Sequence, residues 1–172
     1  MSVLLTVHFV AAIAAFVSGA VMFLSRKGTS AHRRMGVFYI AAMLVTIVSV
    51  IPVEATTLRI GDSRFGFFHV FILVGFVSLA VAIAALLRWR RNRKPKDLKA
   101  HQMHFAYSYA GLLMAGFSQI STNPLWGLVD GGSATQFWIV FGLTNAAIYG
   151  VASYLIFTRI HPRDPTSFLE RR

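Results

Sequence analysis

The sequence predicts an all-α integral membrane protein with five transmembrane helices, in which helices 1–4 form a four-helix bundle. Apolar residues make up 56% of the 172-residue chain and charged residues 13%, against about 45–50% and about 25% in a typical soluble domain. Five apolar runs are each about 20 residues long, which is the length needed to cross about 30 Å of hydrocarbon. The charged residues cluster between these runs, as expected for the loops of a membrane protein.

The first two helices are predicted over residues 3–24 and 32–53. The first run contains no charged residue, and no Lys or Arg precedes it, so we expect a retained helix rather than a cleaved signal peptide. The second run ends at Pro52 and Glu54, because proline breaks the helical hydrogen-bond ladder and a lone carboxylate is costly in hydrocarbon. A short basic hinge joins the two helices.

The other three helices are predicted over residues 66–87, 101–120 and 136–158. The third and fourth are separated by a basic segment that carries a tryptophan at the boundary, a position that interfacial aromatic residues prefer. Asn-Pro and Gly-Gly turn signals separate the fourth and fifth. The tail, residues 159–172, is polar and contains two prolines, so we expect it to be loose. The whole chain, residues 1–172, is interpreted as one transmembrane domain.

The basic residues predict the orientation. With five spans, 15 of the 17 Lys and Arg residues fall on the side that holds the loops after helices 1 and 3 and the C-terminus, and two, Arg59 and Arg64, fall on the other side. Cytoplasmic loops carry the excess of Lys and Arg. We therefore expect a bacterial inner-membrane protein with its N-terminus outside and its C-terminus in the cytoplasm.

Several function classes are not indicated. The chain has no cysteine, which excludes disulfides, thiolate metal sites and cysteine nucleophiles. The net charge of +11 is attributed to topology and contact with anionic lipid, so the bilayer is the expected partner and nucleic acid is not. Gly-rich phosphate loops, nucleophile elbows and paired carboxylates are all missing from the sequence.

Five of the six histidines lie near predicted helix starts and fall at two depths. His8 and His69 lie near the outer ends of helices 1 and 3, whereas His32, His101 and His104 lie near the inner ends of helices 2 and 4. Ionisable residues inside a membrane are costly and usually mark a functional site. The pattern therefore predicts one histidine site near each membrane face.

Two histidines at each depth fit b-type haem best, because haem requires two axial imidazoles and an apolar slot between helices. The propionate groups of haem need cations, and Arg33 and Arg34 stand beside the inner pair. A zinc site is the alternative, since zinc takes three or four protein ligands. His32, His101 and His104 could supply these, with Asp97 as the nearest acid.

The sequence resembles a family of small bacterial predicted membrane proteins that is labelled as a domain of unknown function. The resemblance implies the organisation of the chain and no activity. It rests on residues spread over most of the chain: His8, Gly19, the Lys27-Gly28-x-x-x-His32-Arg33-x-x-Gly36 hinge, Met43, His69, and His101-x-x-His104-x-x-x-Ser108-Tyr109.

The placement of the histidines also resembles the four-helix core of the cytochrome b-561 type, a two-haem transmembrane electron carrier. That resemblance implies an outer haem on His8 and His69. It implies an inner haem on His32 and His104, or on His101 if helix 4 is rotated. The function expected is transmembrane electron transfer of the oxidoreductase class, from a quinol or small reductant to an acceptor. A haem-free transporter or assembly subunit is the remaining alternative.

Overall fold

The computed structural model describes residues 3–53, 61–63, 65–66, 68–123, 125, 128–129 and 133–160. They form five α-helices, of 21 to 27 residues each. A single π-helical turn follows the last of them. The elements are α1 (Val3–Leu24), α2 (Ser30–Val50), α3 (Phe68–Asn92), α4 (Pro95–Ser121), α5 (Ala134–Leu155) and the π-helical turn Ile156–Ile160.

The helices pack as two pairs. α1 lies against α2 and α3 lies against α4, and contacts between α1 and α4 and between α2 and α3 close the pairs into a four-helix bundle. α2 and α4 are therefore diagonal partners, and α5 packs on the outside of α4. The prediction of five helices with a four-helix bundle formed by the first four is confirmed.

The core of the bundle mixes small and large apolar side chains. Its buried members are Ala15, Met22, Tyr39, Met43, Ile47, Leu79, Ala82 and Phe105. Many large apolar side chains on the outer faces of the helices are exposed, among them Phe9, Leu73 and Leu143. A water-soluble protein would leave few such side chains uncovered over so wide an area, so these faces are suited to contact with lipid.

Among the described residues, four helices are long and apolar enough to cross a membrane: α1, α2, α3 from His69 onward, and α5 together with the π-helical turn. α4 does not reach the same hydropathy because its first ten residues include charged and histidine side chains. It has 27 residues, which makes it about 40 Å long. α4 contacts α1, α3 and α5. A helix that its neighbours shield from lipid tolerates a more polar sequence.

The bounds of the third and fourth helices differ from the expected ones. α3 continues through the basic segment to Asn92 and α4 already begins at Pro95, so that only Arg93 and Lys94 connect them. Arginine and lysine are good helix formers, and proline is favoured at the first helical position. The expected bounds followed the loss of hydrophobicity, which marks the membrane boundary and not the end of the helix.

The other ends shift by smaller amounts. Thr29 caps α2, where its Oγ1 accepts a hydrogen bond of 3.2 Å from the backbone N–H of His32. Ser133 caps α5 by accepting one of 3.2 Å from the backbone N–H of Gln136. Several residues of the predictions above lie outside the described part of the chain: Glu54, Arg59, Arg64 and the tail from residue 161 onward, which begins with the sixth histidine, His161.

Candidate functional site

A cavity of about 560 Å³ lies at one end of the bundle, where α1 and α3 end and α2 and α4 begin. We call this end the basic end and the space the basic-end cavity. Its wall is mostly apolar and includes Met22, Ile40, Leu86 and Phe105. Ligand and cofactor sites in proteins usually have volumes of about 300–1,000 Å³, so the cavity is large enough for a cofactor.

Two histidines line the basic-end cavity, His32 from α2 and His101 from α4. The Nδ1 atom of His32 lies 3.2 Å from the carbonyl oxygen of Met22, and Nδ1 of His101 lies 3.0 Å from that of Ala82. A carbonyl oxygen only accepts hydrogen bonds, so both Nδ1 atoms donate and the lone pair of each neutral ring is on Nε2. Metal-bound histidines have this arrangement, in which one ring nitrogen donates to a carbonyl and the other binds the metal.

A hydrogen bond deeper in the bundle fixes the relative height of the two histidines. The hydroxyl oxygens of Tyr39 on α2 and Ser108 on α4 are 3.0 Å apart, and both residues are fully buried. His32 precedes Tyr39 by seven residues and His101 precedes Ser108 by seven, and both helices start at the same end of the bundle. Each histidine is therefore about 10 Å along its helix axis from the bonded pair.

His104 is at a different height. It precedes Ser108 by only four residues, or about 6 Å, and so lies deeper than His32. It is half-buried and is not among the described residues that line the basic-end cavity. The sequence left His101 and His104 open as partners of His32, and the structure brings His101 to the cavity.

The mouth of the cavity is positively charged. Lys27, Arg33, Arg90 and Arg93 line it, and no Asp or Glu occurs among the described lining residues. Arg33 also donates a hydrogen bond of 3.2 Å to the carbonyl oxygen of Gly28. Of the two arginines expected to face a ligand, Arg33 therefore reaches the cavity, whereas Arg34 is exposed and is not one of its lining residues.

The histidines that the structure describes do not gather with acids into a metal site. Asp97 is buried and pairs with Arg88, with 3.3 Å between the carboxylate Oδ1 and the guanidinium Nε. Within the described ranges, no group of three or more His, Asp or Glu side chains lies close enough to hold a metal ion. The zinc alternative thus finds no three-residue ligand set in this part of the chain.

The histidines at the opposite end of the bundle have different surroundings. Nδ1 of His8 lies 2.9 Å from the carbonyl oxygen of Thr46 and 3.3 Å from Oγ of Ser49. His69 accepts a hydrogen bond of 3.1 Å at Nδ1 from the backbone N–H of Gly66, so its proton is on Nε2, which lies 3.2 Å from the carbonyl oxygen of Val53. Both ring nitrogens of His69 therefore have hydrogen-bond partners.

Residues 5–156 match the model of a family described as a predicted membrane protein, DUF2306. The chain belongs to this family. The match includes His8, His32, His69, His101 and His104, and with them both histidines of the basic-end cavity. No curated protein and no solved structure matches this DUF2306 protein. Family membership establishes an integral membrane protein and leaves the activity open.

Part of the cavity wall was not foreseen from the sequence of this DUF2306 protein. Trp89, Arg90 and Arg93 belong to the basic segment predicted to separate helices 3 and 4, yet they line the cavity together with Leu86. These four residues follow the i, i+3, i+4, i+7 spacing of one helix face. This spacing is present in the sequence, and it corresponds to one face of a helix that continues past residue 87, as α3 does.

Proposed function

We propose that this DUF2306 protein transfers electrons through a b-type haem that His32 and His101 would hold. One observation carries the proposal. The two histidines line one cavity from diagonal helices, and each directs Nδ1 to a backbone carbonyl, which leaves Nε2 as the ligating atom. Haem b needs only two such imidazoles from two helices.

The other residues of the basic-end cavity suit the two chemical parts of haem. The apolar wall, with Met22, Ile40, Leu86 and Phe105, matches the macrocycle. The cations at the mouth, with no acid among the described lining residues, match the propionate carboxylates. The ring of His101 also lies 4.9 Å from that of Phe105, between centroids, a contact that orients the imidazole. When bound, haem iron supplies reversible one-electron transfer.

The resemblance to the cytochrome b-561 type implies a second haem on His8 and His69. The contacts of these two histidines support it less well than those of His32 and His101 support the haem at the basic end. His69 would have to give up its hydrogen bond to Gly66 or the one to Val53 before a ring nitrogen could bind iron. Arg59 and Arg64, the two basic residues predicted for the outer side, lie outside the described residues. The outer haem stays a prediction, and the proposal made here rests on the basic end alone.

The proposal includes an orientation and a class of partners. Because Lys and Arg are concentrated at the basic end, we assign that end to the cytoplasm and the protein to the bacterial inner membrane. The haem proposed would then lie near the cytoplasmic face. It would exchange electrons with a quinol or small reductant on one side and an acceptor on the other.

An optical spectrum tests the proposal. The protein is produced in cells supplied with haem, purified in detergent, and its oxidised and reduced spectra are compared. We expect the spectrum of a six-coordinate, bis-histidine b haem, and a single haem per chain if only the basic-end pair binds. A colourless preparation that also fails to bind added haem would overturn the proposal.

A further inference from the structure

Arg93 occupies a backbone conformation that glycine normally fills. Its φ is 54°, and it is the one non-glycine residue with positive φ in the part of the chain that the structure describes. It directly follows α3, and its N–H donates a hydrogen bond of 2.8 Å to the carbonyl oxygen of Trp89. Helices often end this way, with glycine in the left-handed position, because a Cβ atom is disfavoured there.

The side chain of Arg93 faces the basic-end cavity. Its guanidinium carbon lies 4.8 Å from the centroid of the Trp89 ring, and both residues line the basic-end cavity together with Arg33 and His101. Stacking on an aromatic face fixes the plane of a guanidinium without occupying its N–H donors. Arg93 is thus held at the mouth with donors that remain available to an anion.

We infer that Arg93 is the residue of the basic-end cavity that recognises the carboxylates of its ligand. This inference rests on the proposed function and names the group through which haem is oriented. A glycine at this position would satisfy the backbone of the two-residue turn without a steric penalty. The arginine gives up that backbone advantage and places a planar, permanently charged donor where a carboxylate can be bound by two parallel hydrogen bonds.

A purely structural role for Arg93 makes a different prediction. If the residue only anchored the basic end at the membrane surface or closed the turn by stacking on Trp89, its loss would weaken the fold and would not depend on the charge of the ligand. Haem and its dimethyl ester separate the two roles, because the ester has the same macrocycle and iron but no carboxylate charge.

The experiment titrates haem and haem dimethyl ester into haem-free, full-length protein in detergent. The variants are Arg93→Gly and Arg91→Ala. Arg91 is an exposed arginine in the last turn of α3 and is not among the described lining residues, so its variant controls for the loss of one positive charge. We expect wild type to bind haem about tenfold or more tightly than the ester, the size of one charge-assisted hydrogen bond. Arg93→Gly should lose about tenfold in haem affinity and bind the ester as wild type does.

The melting temperature of the haem-free variant provides a second readout. Arg93→Gly should melt at the wild-type temperature or above it, since glycine suits the backbone. Equal loss of haem and ester affinity, or a lower melting temperature, would assign Arg93 a structural role and overturn the inference. Wild type that binds both ligands equally would overturn it while keeping the haem site. Wild type that binds neither would instead overturn the proposed function.

Discussion

Tyr39 and Ser108 join the diagonal helices α2 and α4 through a hydrogen bond of 3.0 Å between two fully buried hydroxyl groups. The Ser108 hydroxyl donates its own proton to the carbonyl oxygen of Phe105, 2.9 Å away. Tyr39 is therefore the donor in the pair and Ser108 the acceptor. The two hydroxyl groups therefore differ in their partners: Ser108 keeps a hydrogen bond to Phe105 when Tyr39 is removed, whereas Tyr39 loses its partner when Ser108 is removed.

This difference in partners predicts how much free energy of unfolding is lost when each hydroxyl is removed. Ser108→Ala leaves the Tyr39 hydroxyl buried without a partner and should lower the free energy of unfolding by about 1–3 kcal/mol. Tyr39→Phe removes the donor and leaves the Ser108–Phe105 bond intact, so it should cost about 0.5–1.5 kcal/mol. Denaturant titration in mixed micelles measures both. A Tyr39→Phe variant that is less stable than Ser108→Ala would contradict the assignment of donor and acceptor.

Under the proposed function, the same pair predicts which histidine of α4 would bind haem. His101→Ala should abolish the bis-histidine spectrum because it removes the ligand at the height of His32, and His32→Ala should have the same effect. His104→Ala is the matched control on the same helix and should retain nearly full haem content. The haem-to-protein ratio of the three purified variants checks this. Loss of haem in His104→Ala with retention in His101→Ala would reverse the assignment.

Gly19 predicts a steric effect on the packing of α1 against α4. A Cβ atom at this position would lie 2.5 Å from the ring atoms Cδ2 and Cε2 of Tyr109 and 3.1 Å from Cε2 of Tyr39. The Tyr109 ring has little freedom to move, since its hydroxyl donates a hydrogen bond of 3.1 Å to the carbonyl oxygen of Phe16. Gly19→Ala should therefore cost about 1–3 kcal/mol of unfolding free energy, as overpacking usually does.

Gly111 is the matched control for Gly19. It lies inside α4, and no described atom is within 4 Å of the position that its methyl carbon would take. Gly111→Ala should leave stability unchanged or raise it by up to about 1 kcal/mol, the usual gain from replacing glycine inside a helix. Thermal unfolding of both variants in the same detergent gives the comparison. Equal destabilisation by the two substitutions would contradict the close approach at Gly19.

The absence of cysteine from the sequence allows a clean test of orientation. Lys94 lies in the turn at the basic end, and Asp62 lies in the loop at the other end; both are exposed. In whole cells, a membrane-impermeant maleimide should label Asp62→Cys as soon as the reagent reaches the periplasm. Lys94→Cys should be labelled only after the cells are opened. The reverse pattern would place the basic end outside and refute the assigned topology.

The existence and number of the helices could be predicted from the sequence because hydrophobic runs report directly on what the bilayer accepts. The end of α3 and the start of α4 could not be predicted in this way, because Arg90 and Arg91 are too polar for the hydrocarbon and still belong to the helix. Hydropathy reports on the environment of a residue, whereas backbone hydrogen bonds determine its secondary structure. For this reason the end of α3 and the start of α4 differ from the bounds expected from hydropathy.

The candidate site could be predicted only in part. Depth along the chain grouped His32 with His101 and His104, but the choice between the last two required the Tyr39–Ser108 bond, which joins residues 69 positions apart. Likewise, the hydrogen bonds that occupy both nitrogens of His69 involve the backbone of Gly66, three residues before it, and of Val53, which follows the end of α2. Such contacts leave no periodic signal in the sequence.

The two-residue connection between α3 and α4 also has a consequence for how the chain enters the membrane. α4 is too polar to be among the candidate spans, and a segment of this kind inserts poorly when the translocation machinery meets it alone. The connection of Arg93 and Lys94 is too short to let α4 move away from α3, so we expect α3 and α4 to insert together as a helical hairpin. A chain from which α3 is deleted should leave α4 outside the bilayer, as glycosylation mapping in microsomes would detect.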